Sequence, residues 1–211
     1  MTGRGAEATL GLACDGGEAA PAADWPFGQL RPAQYRVILA DPPWTFRTWS
    51  DKGLGKSAQR HYACAGPEAL RAQPVRELAH PKGCTLALRA TAPLLPDAVA
   101  TPEAWGFALK TAGAWAKRSR TGAAWAFGTG YLLRSAAEFF LLGTLGRPRQ
   151  RVRNVRNLIV APVREHSRKP AEMHAALEAM FEGPCAELFA RGPARPGWDL
   201  WGDEVGKFEA A

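Results

Sequence analysis

Cysteine is scarce in this chain of 211 residues, and its four copies lie far apart. Cys14, Cys64, Cys84 and Cys185 form no Cys-x-x-Cys pair and no compact cluster with histidine. This spacing argues against a zinc site and against a disulfide framework, so we expect no metal. Reduced thiols are typical of the cytoplasm, which is the compartment that we expect for this protein.

Long apolar runs and a secretion signal are also lacking. No stretch approaches the ~18 uninterrupted apolar residues of a membrane-spanning helix, so we expect no membrane association. Residues 1–23 are rich in glycine and alanine, and they lack the charged start and the long apolar stretch of a signal peptide. We predict that residues 1–23 are disordered, that residues 24–206 form a single domain and that residues 207–211 are a tail.

Acidic residues are outnumbered by basic ones, 20 against 27, which gives a formal net charge of +7. A basic chain favours a polyanionic partner. Many of the basic residues are concentrated in one part of the chain: Arg147, Arg149, Arg151, Arg153, Arg156, Arg164, Arg168 and Lys169. Such a segment can neutralise several phosphates, although a solvated basic loop is the alternative. We assign nucleic-acid binding to Arg151, Arg153 and Arg156.

Short apolar runs alternate with amphipathic stretches along the chain. Strands are predicted over Tyr35–Ala40, Cys84–Arg89, Phe107–Trp115, Leu158–Ala161 and Ala186–Phe189. Helices are predicted over Pro67–Glu77, Leu94–Ala104, Tyr131–Leu142 and Lys169–Phe181. The polar stretch Thr45–Gln59 is predicted to be a mobile loop. This alternation predicts an α/β fold, with a mostly parallel sheet and helices on both of its faces.

The most informative residues are Asp41-Pro42-Pro43-Trp44, which follow an apolar strand. In an open α/β sheet, ligands bind at the carboxyl ends of the strands. Proline has no N–H, so this tip cannot continue sheet pairing and offers only acceptors, namely the Asp41 carboxylate and the backbone carbonyls. An acceptor-rich loop beside an aromatic ring suits a planar base with an exocyclic amine, because the amine donates to the oxygens while the base stacks on Trp44.

An Asp-Pro-Pro-aromatic tetrad is the signature of enzymes that methylate the exocyclic amines of bases. With tryptophan in the fourth position, this chain resembles the family of the catalytic subunit of the mRNA N6-adenosine methyltransferase and its bacterial and phage relatives. The resemblance runs in order from about Asp24 to Glu204. Its further segments are Arg60-His61-Tyr62, Trp105-Gly106-Phe107, Trp115-Ala116-Lys117, Ser167-Arg168-Lys169-Pro170, Glu187-Leu188-Phe189-Ala190-Arg191 and Trp198-Asp199-Leu200-Trp201-Gly202-Asp203-Glu204.

The resemblance implies an S-adenosyl-L-methionine-dependent N6-adenine methyltransferase that acts on nucleic acid. It also implies a permuted Rossmann-like fold, because the tetrad comes early and the cofactor contacts come late. The tetrad would be catalytic and Tyr62 would contact the substrate. The implied cofactor contacts are Asp24 to the adenine, Lys169 to the methionine carboxylate, Arg191, Asp203 and Glu204 to the ribose, and Asp41.

Three positions depart from the family pattern. Arg89 stands where many relatives have tryptophan, Ala92 where they often have asparagine, and Ala190 where they usually have glycine. The first two lie near the expected substrate side, where they would alter target choice or weaken activity. An inactive nucleic-acid-binding subunit of a methyltransferase complex therefore stays open as an alternative, and so does a small-molecule or protein amine methyltransferase.

The nature of the nucleic acid is read only from composition. A chain rich in alanine, glycine, arginine, proline and tryptophan is typical of a GC-rich bacterial or phage genome. For such a source we favour DNA over RNA as the substrate. Both a monomer and a homodimer are compatible with the sequence.

Overall fold

The computed structural model describes residues 24–44, 65–130, 132–165 and 168–208. The predictions made for residues 1–23, for the loop Thr45–Gln59 and for Tyr62 lie outside these ranges. Within them, no helix has the length and apolar character needed to cross a membrane. The same ranges contain no group of histidine, cysteine, aspartate or glutamate side chains that could hold a metal ion.

One mixed sheet organises the described residues. Its strands are β1 (Val37–Ala40), β2 (Gly83–Ala90), β3 (Ala108–Arg118), β4 (Ala137–Gly146), β5 (Leu158–Pro162), β6 (Cys185–Leu188) and β7 (Trp198–Trp201). Their spatial order is β5-β3-β4-β2-β1-β6-β7. Strand β4 is antiparallel to both of its neighbours, and all other pairs are parallel. The predicted mostly parallel α/β sheet is confirmed, although the sequence reading missed β4 and β7.

Helices cover both faces of this sheet, as predicted. On one face lie α1 (Pro67–Arg71), the 3-10 turn Val75–Leu78, the 3-10 turn Ala92–Leu94 and α2 (Leu95–Ala104). On the other face lies α3 (Glu172–Met180). Alternate residues of a strand point to opposite faces, so Ile38 packs with the α1 and α2 core while Leu39 packs with α3. Each face of the short β1 is therefore fully buried.

The helix predicted over Tyr131–Leu142 is wrong. Residues from Ala137 onward form β4, which pairs with β2 along one edge and with β3 along the other. A short apolar run cannot be assigned to helix or strand from its periodicity alone. Here the unpaired edges of two neighbouring strands supply the partners that decide the conformation, and they outweigh the helix propensity of alanine, glutamate and leucine.

The position of β1 defines where a ligand site is expected. From β1 the chain passes to β2 on one side of the sheet, and it later returns to β6 on the other side. Such a reversal of strand order leaves a crevice outside the carboxyl ends of the strands. The residues that follow β1, β2, β6 and β7 meet at this edge.

Candidate active site

Asp41 lies at this crevice, directly after β1. Its N–H donates to the carbonyl of Leu188 over 3.3 Å, which continues the pairing of β1 with β6 by one residue. The two prolines then end the pairing. The carbonyl of Pro42 accepts from the N–H of Trp44 over 2.9 Å, and the carbonyl of Pro43 accepts from the N–H of Ala65 over 3.0 Å. The tetrad is thus a compact loop held at both ends.

Trp44 anchors this loop to the neighbouring strand. Its indole N–H donates to the carbonyl of Arg89 over 3.0 Å, and its side chain belongs to the hydrophobic core. Only 6% of Trp44 is exposed, although the residue contributes to the wall of the cleft. A ring that is covered to this extent leaves little of its face for stacking, so its observed role is to fix the loop.

The Asp41 carboxylate belongs to a chain of alternating charges. Lys169 Nζ lies 3.5 Å from Asp41 Oδ1 and 2.8 Å from Glu138 Oε2. Lys117 Nζ lies 2.6 Å from Glu138 Oε1, and Arg89 Nη1 lies 4.0 Å from Asp41 Oδ2. All five side chains are largely buried. We call this set, Arg89, Asp41, Lys169, Glu138 and Lys117, the charge network.

Strand register brings the charge network together. Asp41 continues the alternation of Val37 and Leu39, so it points to the α3 face. Trp115 pairs with Glu138 in the β3–β4 ladder, and Trp115 also packs on the α3 face. Paired residues share a face, so Glu138 lies on the same side as Asp41. The antiparallel direction of β4 places its first residues, including Glu138, at the edge where the parallel strands end.

The network favours the charged forms of Glu138 and Lys169. Burial would raise the pKa of Glu138, but the charges of Lys169 and Lys117 and their hydrogen bonds outweigh burial and lower that pKa to about 2. Burial would likewise lower the pKa of Lys169, but Asp41 and Glu138 outweigh it and raise that pKa above its ordinary value. At neutral pH, Lys169 is therefore a fixed cation beside the Asp41 carboxylate.

Acid is expected to remove the contribution of Glu138 to stability. Its pKa in the folded protein, about 2, lies below its ordinary value of 4.5. The stabilisation is therefore complete above pH 4.5 and is lost as the pH falls through about 2. The shift corresponds to on the order of 3 kcal/mol. Denaturant unfolding at a series of pH values should show a fall in stability on acidification that is smaller in Glu138→Gln. Equal slopes for the two proteins would contradict this assignment.

A second part of the cleft is built from the ends of β6 and β7. Phe189 has a φ of 60°, in the left-handed region, and so turns the chain after β6. The N–H of Ala190 donates to the carbonyl of Trp201 over 2.9 Å. Beyond this bond, Arg191 Nε lies 3.2 Å from Glu204 Oε2. Arg191 is almost fully buried and lines the same cleft as Asp41.

Gly202 permits this close approach. A Cβ atom at position 202 would lie 2.6 Å from the nitrogen and 2.7 Å from the oxygen of Ala190. We expect Gly202→Ala to separate the two strand ends, to destabilise the protein by about 1–3 kcal/mol and to weaken cofactor binding. The matched control is Gly192→Ala, because a Cβ there meets nothing within 4 Å. Thermal unfolding and cofactor titration of both variants test this; equal behaviour of the two would contradict it.

The structure brings most of the residues implicated by the sequence to one place. A partly open cleft of about 410 Å³ is lined by Asp41, Pro42, Trp44, Arg89, Ala90, Thr91, Leu94, Glu138, Lys169 and Arg191. Glu204 pairs with Arg191, which lines this cleft. Asp203, the residue before Glu204, is exposed. Asp24 is exposed, and the neighbouring Trp25 packs through Phe27 onto Trp201 at the end of β7.

The arginine cluster lies elsewhere. Gly146, the last residue of β4, pairs with Gly83, the first residue of β2. The chain therefore leaves β4 at the edge of the sheet opposite the cleft. Arg151, Arg153 and Arg156 follow there, all exposed, and the N–H of Arg151 donates to the carbonyl of Met180 over 2.7 Å. These three arginines do not line the cleft, and phosphate contact by them stays a prediction.

Sequence reasoning missed Glu138 and assigned no role to Lys117. Glu138 stands in the stretch that was predicted to be a helix, where a carboxylate on a polar face needs no explanation. A signal was nevertheless present, because a single charge precedes the apolar run Phe139-Phe140-Leu141-Leu142. Arg89 was noted only as a departure; in the structure it is a member of the charge network. Ala190, another of the three departures, is buried.

Comparison with known proteins agrees with this arrangement. The MT-A70 family model matches residues 35–204. A Type II methyltransferase, M.MunI from Mycoplasma sp, is 31% identical over 197 residues, which cover 85% of this chain and 81% of that protein. Over 79 residues, or 36% of this chain, an MT-A70-like N(6)-adenosine-methyltransferase from Arabidopsis thaliana is 40% identical and a putative one from Medicago truncatula is 39% identical. These cover 12% and 13% of the respective plant proteins. The segment that matches the family model begins before β1 and ends at Glu204, so it contains the whole sheet and the cleft. The chain therefore belongs to the MT-A70 family of N6-adenine methyltransferases.

Proposed function

We propose that this enzyme transfers the methyl group of S-adenosyl-L-methionine to the N6 amine of adenine in DNA. The observation that carries the proposal is the Asp41 carboxylate, held beside Lys169 at the crevice where the strand order reverses. The preference for DNA over RNA rests on the amino-acid composition, which is typical of a protein encoded by a GC-rich bacterial or phage genome. It is supported by the long similarity to a bacterial methyltransferase, which covers far more of the chain than the similarity to the plant proteins.

The residues of the cleft fit the methyl donor. S-adenosyl-L-methionine supplies, when bound, a methyl group activated by a sulfonium centre. We propose that the Asp41 carboxylate attracts the cationic sulfonium. Lys169 and Arg89, which both lie beside Asp41, are proposed to attract the carboxylate of the donor. Glu204, held by Arg191, offers acceptor oxygens for ribose hydroxyls, and we propose the same for Asp203. Asp24 is proposed as a contact to the adenine of the donor.

The tetrad holds the amine of the target adenine. The lone pair of this amine is delocalised into the ring, so the nitrogen is a poor nucleophile. We propose that the Asp41 carboxylate and the Pro42 carbonyl each accept one of its N–H groups. The Pro42 carbonyl already accepts from Trp44, but a carbonyl oxygen has two lone pairs. These two acceptors align the nitrogen for in-line attack, and positioning of this kind provides much of the rate.

Lys169 is proposed to prepare Asp41 for this role. Its ammonium lies 3.5 Å from Asp41 Oδ1 and is itself fixed by Glu138. This contact holds the Asp41 carboxylate in place, and a carboxylate accepts hydrogen bonds but does not donate them. Asp41 need not be a strong base, because the nitrogen becomes cationic and acidic once the methyl group has arrived, and its proton then passes to the Asp41 carboxylate or to solvent. Tyr62, outside the described residues, is proposed to close over the substrate.

A labelled methyl-transfer assay tests the function. The enzyme is incubated with radiolabelled S-adenosyl-L-methionine and with duplex and single-stranded DNA and RNA of mixed sequence, and the products are analysed as nucleosides. We expect N6-methyladenine, with more in DNA than in RNA. No incorporation, together with no shift of the melting temperature on addition of the donor, would instead support an inactive nucleic-acid-binding subunit.

We also propose a location and a domain organisation. The thiols of Cys84 and Cys185 are free and buried, and burial raises the pKa of both, the latter to about 11. Unpaired thiols of this kind suit the cytoplasm. Residues 24–206 are proposed to be one methyltransferase domain. Its oligomeric state is proposed to be monomer or homodimer, which mass measurement in solution will distinguish.

A further inference from the structure

The connection between β3 and β4 exposes two large aromatic rings. Trp125 is 57% exposed and Phe127 is 81% exposed. Each ring is associated with an arginine: Arg118 Cζ lies 4.4 Å from the centre of the Trp125 ring, and Arg134 Cζ lies 5.3 Å from that of Phe127. We call these four residues the stacking platform. Exposed aromatic rings grouped in this way mark a binding surface more often than an ordinary exterior.

The charge of this connection selects the kind of ligand. From Lys117 to Ser135 the sequence has four basic residues, Lys117, Arg118, Arg120 and Arg134, and no acidic residue. Aromatic faces combined with positive charge suit a ligand that is flat and anionic. Nucleotides whose bases are not stacked in a duplex have both properties, since their bases stack on aromatic rings while arginine meets their phosphates.

Backbone hydrogen bonds place the platform beside the cleft. Arg118 forms an isolated bridge with Trp125. The N–H of Ala126, between the two aromatic residues, donates to the carbonyl of Lys117 over 2.9 Å. The side chain of Lys117 in turn contacts Glu138, which lines the cleft. The platform therefore lies at the same edge of the sheet as the cleft.

We propose that the stacking platform binds the nucleotides that flank the target adenine. The inference rests on the proposed function. It places the contact with the nucleic acid at the edge of the sheet that carries the cleft. The arginine cluster lies at the opposite edge. An adenine that enters the cleft from a duplex must leave its stack, at a cost in free energy. Stacking of its neighbours on Trp125 and Phe127, with Arg118 and Arg134 at their phosphates, offsets part of that cost.

A second copy of the chain is the competing occupant of this connection. The same connection exposes Leu132 and Leu133, which are 98% and 83% exposed. A protein partner would use these apolar side chains, whereas stacked bases need the aromatic rings. The two pairs, Trp125 with Phe127 and Leu132 with Leu133, therefore form a matched comparison within one connection.

Binding of a fluorescein-labelled, adenine-containing oligonucleotide, single-stranded or duplex, tests the proposal by anisotropy. We expect the double variant Trp125→Ala/Phe127→Ala to lose affinity by about tenfold or more, and Trp125→Tyr/Phe127→Tyr to retain most of it. Arg134→Gln should reduce the slope of the logarithm of affinity against the logarithm of salt concentration by about one. Leu132→Ser/Leu133→Ser should bind the oligonucleotide as the unmodified enzyme does. The melting shift caused by S-adenosyl-L-methionine should be the same in all of these variants.

The possible results distinguish a failure of the platform proposal from a failure of the proposed function. If the unmodified enzyme binds the oligonucleotide and the alanine variant binds it equally well, the platform is overturned and the proposed function stands. If the alanine variant changes only the mass in solution, or if only the leucine pair matters, the surface belongs to a second copy and the platform is again overturned. If the unmodified enzyme binds no oligonucleotide, both proposals fail.

Discussion

Asp41→Ala is expected to lower kcat for methyl transfer by a factor on the order of 10³, the largest effect on activity that we expect from a single substitution. The variant removes the acceptor that we propose aligns the amine, and it also leaves Lys169 and Arg89 without the anion between them. Oligonucleotide binding should persist, because the stacking platform is unchanged. The effect should therefore appear in kcat rather than in KM.

Two further variants show whether charge or shape is responsible. Asp41→Asn keeps the size of the side chain and one acceptor oxygen but loses the charge, so its activity should fall between those of the alanine variant and the unmodified enzyme. The control is Asp97→Ala, which removes a carboxylate of α2 that pairs with Arg71 over 3.1 Å and does not line the cleft. We expect Asp97→Ala to retain activity. Full activity of Asp41→Ala, measured with labelled donor, would refute the proposed mechanism.

Glu138→Ala is expected to have the largest effect on stability. Among the described residues, Glu138 is the only carboxylate within ion-pair distance of Lys117, and it shares Lys169 with Asp41. Removal of one partner of a buried ion pair leaves an uncompensated charge and costs about 3–5 kcal/mol. For a chain of this length, that corresponds to a fall of roughly 6–20 °C in the melting temperature. Activity should fall as well, because Lys169 loses the group that fixes it beside Asp41.

A double variant isolates the electrostatic part of this effect. In Lys117→Met/Glu138→Leu, one of the two cations that pair with Glu138 is removed together with it. We expect this protein to be more stable than Glu138→Leu alone, as a double-mutant cycle would show. Glu182→Ala removes an exposed carboxylate that lies 4.0 Å from Arg151, and should leave the melting temperature almost unchanged. Two results would show that the charge network does not stabilise this fold. One is the same melting temperature for Glu138→Leu and the double variant, and the other is the same melting temperature for Glu138→Ala and the unmodified protein.

Much of the candidate site could be predicted from the sequence because it is local. Asp41-Pro42-Pro43-Trp44 follows an apolar strand, and the prolines alone require that the strand end there. The α/β class follows in the same way from alternating short segments. Each of these conclusions depends on neighbours within a few residues, which a sequence displays directly.

The reversed strand β4 could not be predicted in this way. Its residues are as compatible with a helix as with a strand, and only the edges of β2 and β3 decide between them. The position of Glu138 follows from that decision, and so does the displacement of Arg151, Arg153 and Arg156 to the far edge of the sheet. Neither the partner of Lys169 nor the location of the arginine cluster is encoded by nearby residues.

The sequence by itself determined the class of fold, the candidate catalytic loop and the family resemblance, because these depend on short motifs and on their order along the chain. Only the tertiary structure decided which charges meet. Lys117, Glu138 and Lys169 are far apart in the sequence and come together because an antiparallel strand brings its first residues to the carboxyl ends of its parallel neighbours. Electrostatic interaction depends on distance in space, and strand direction and register set that distance.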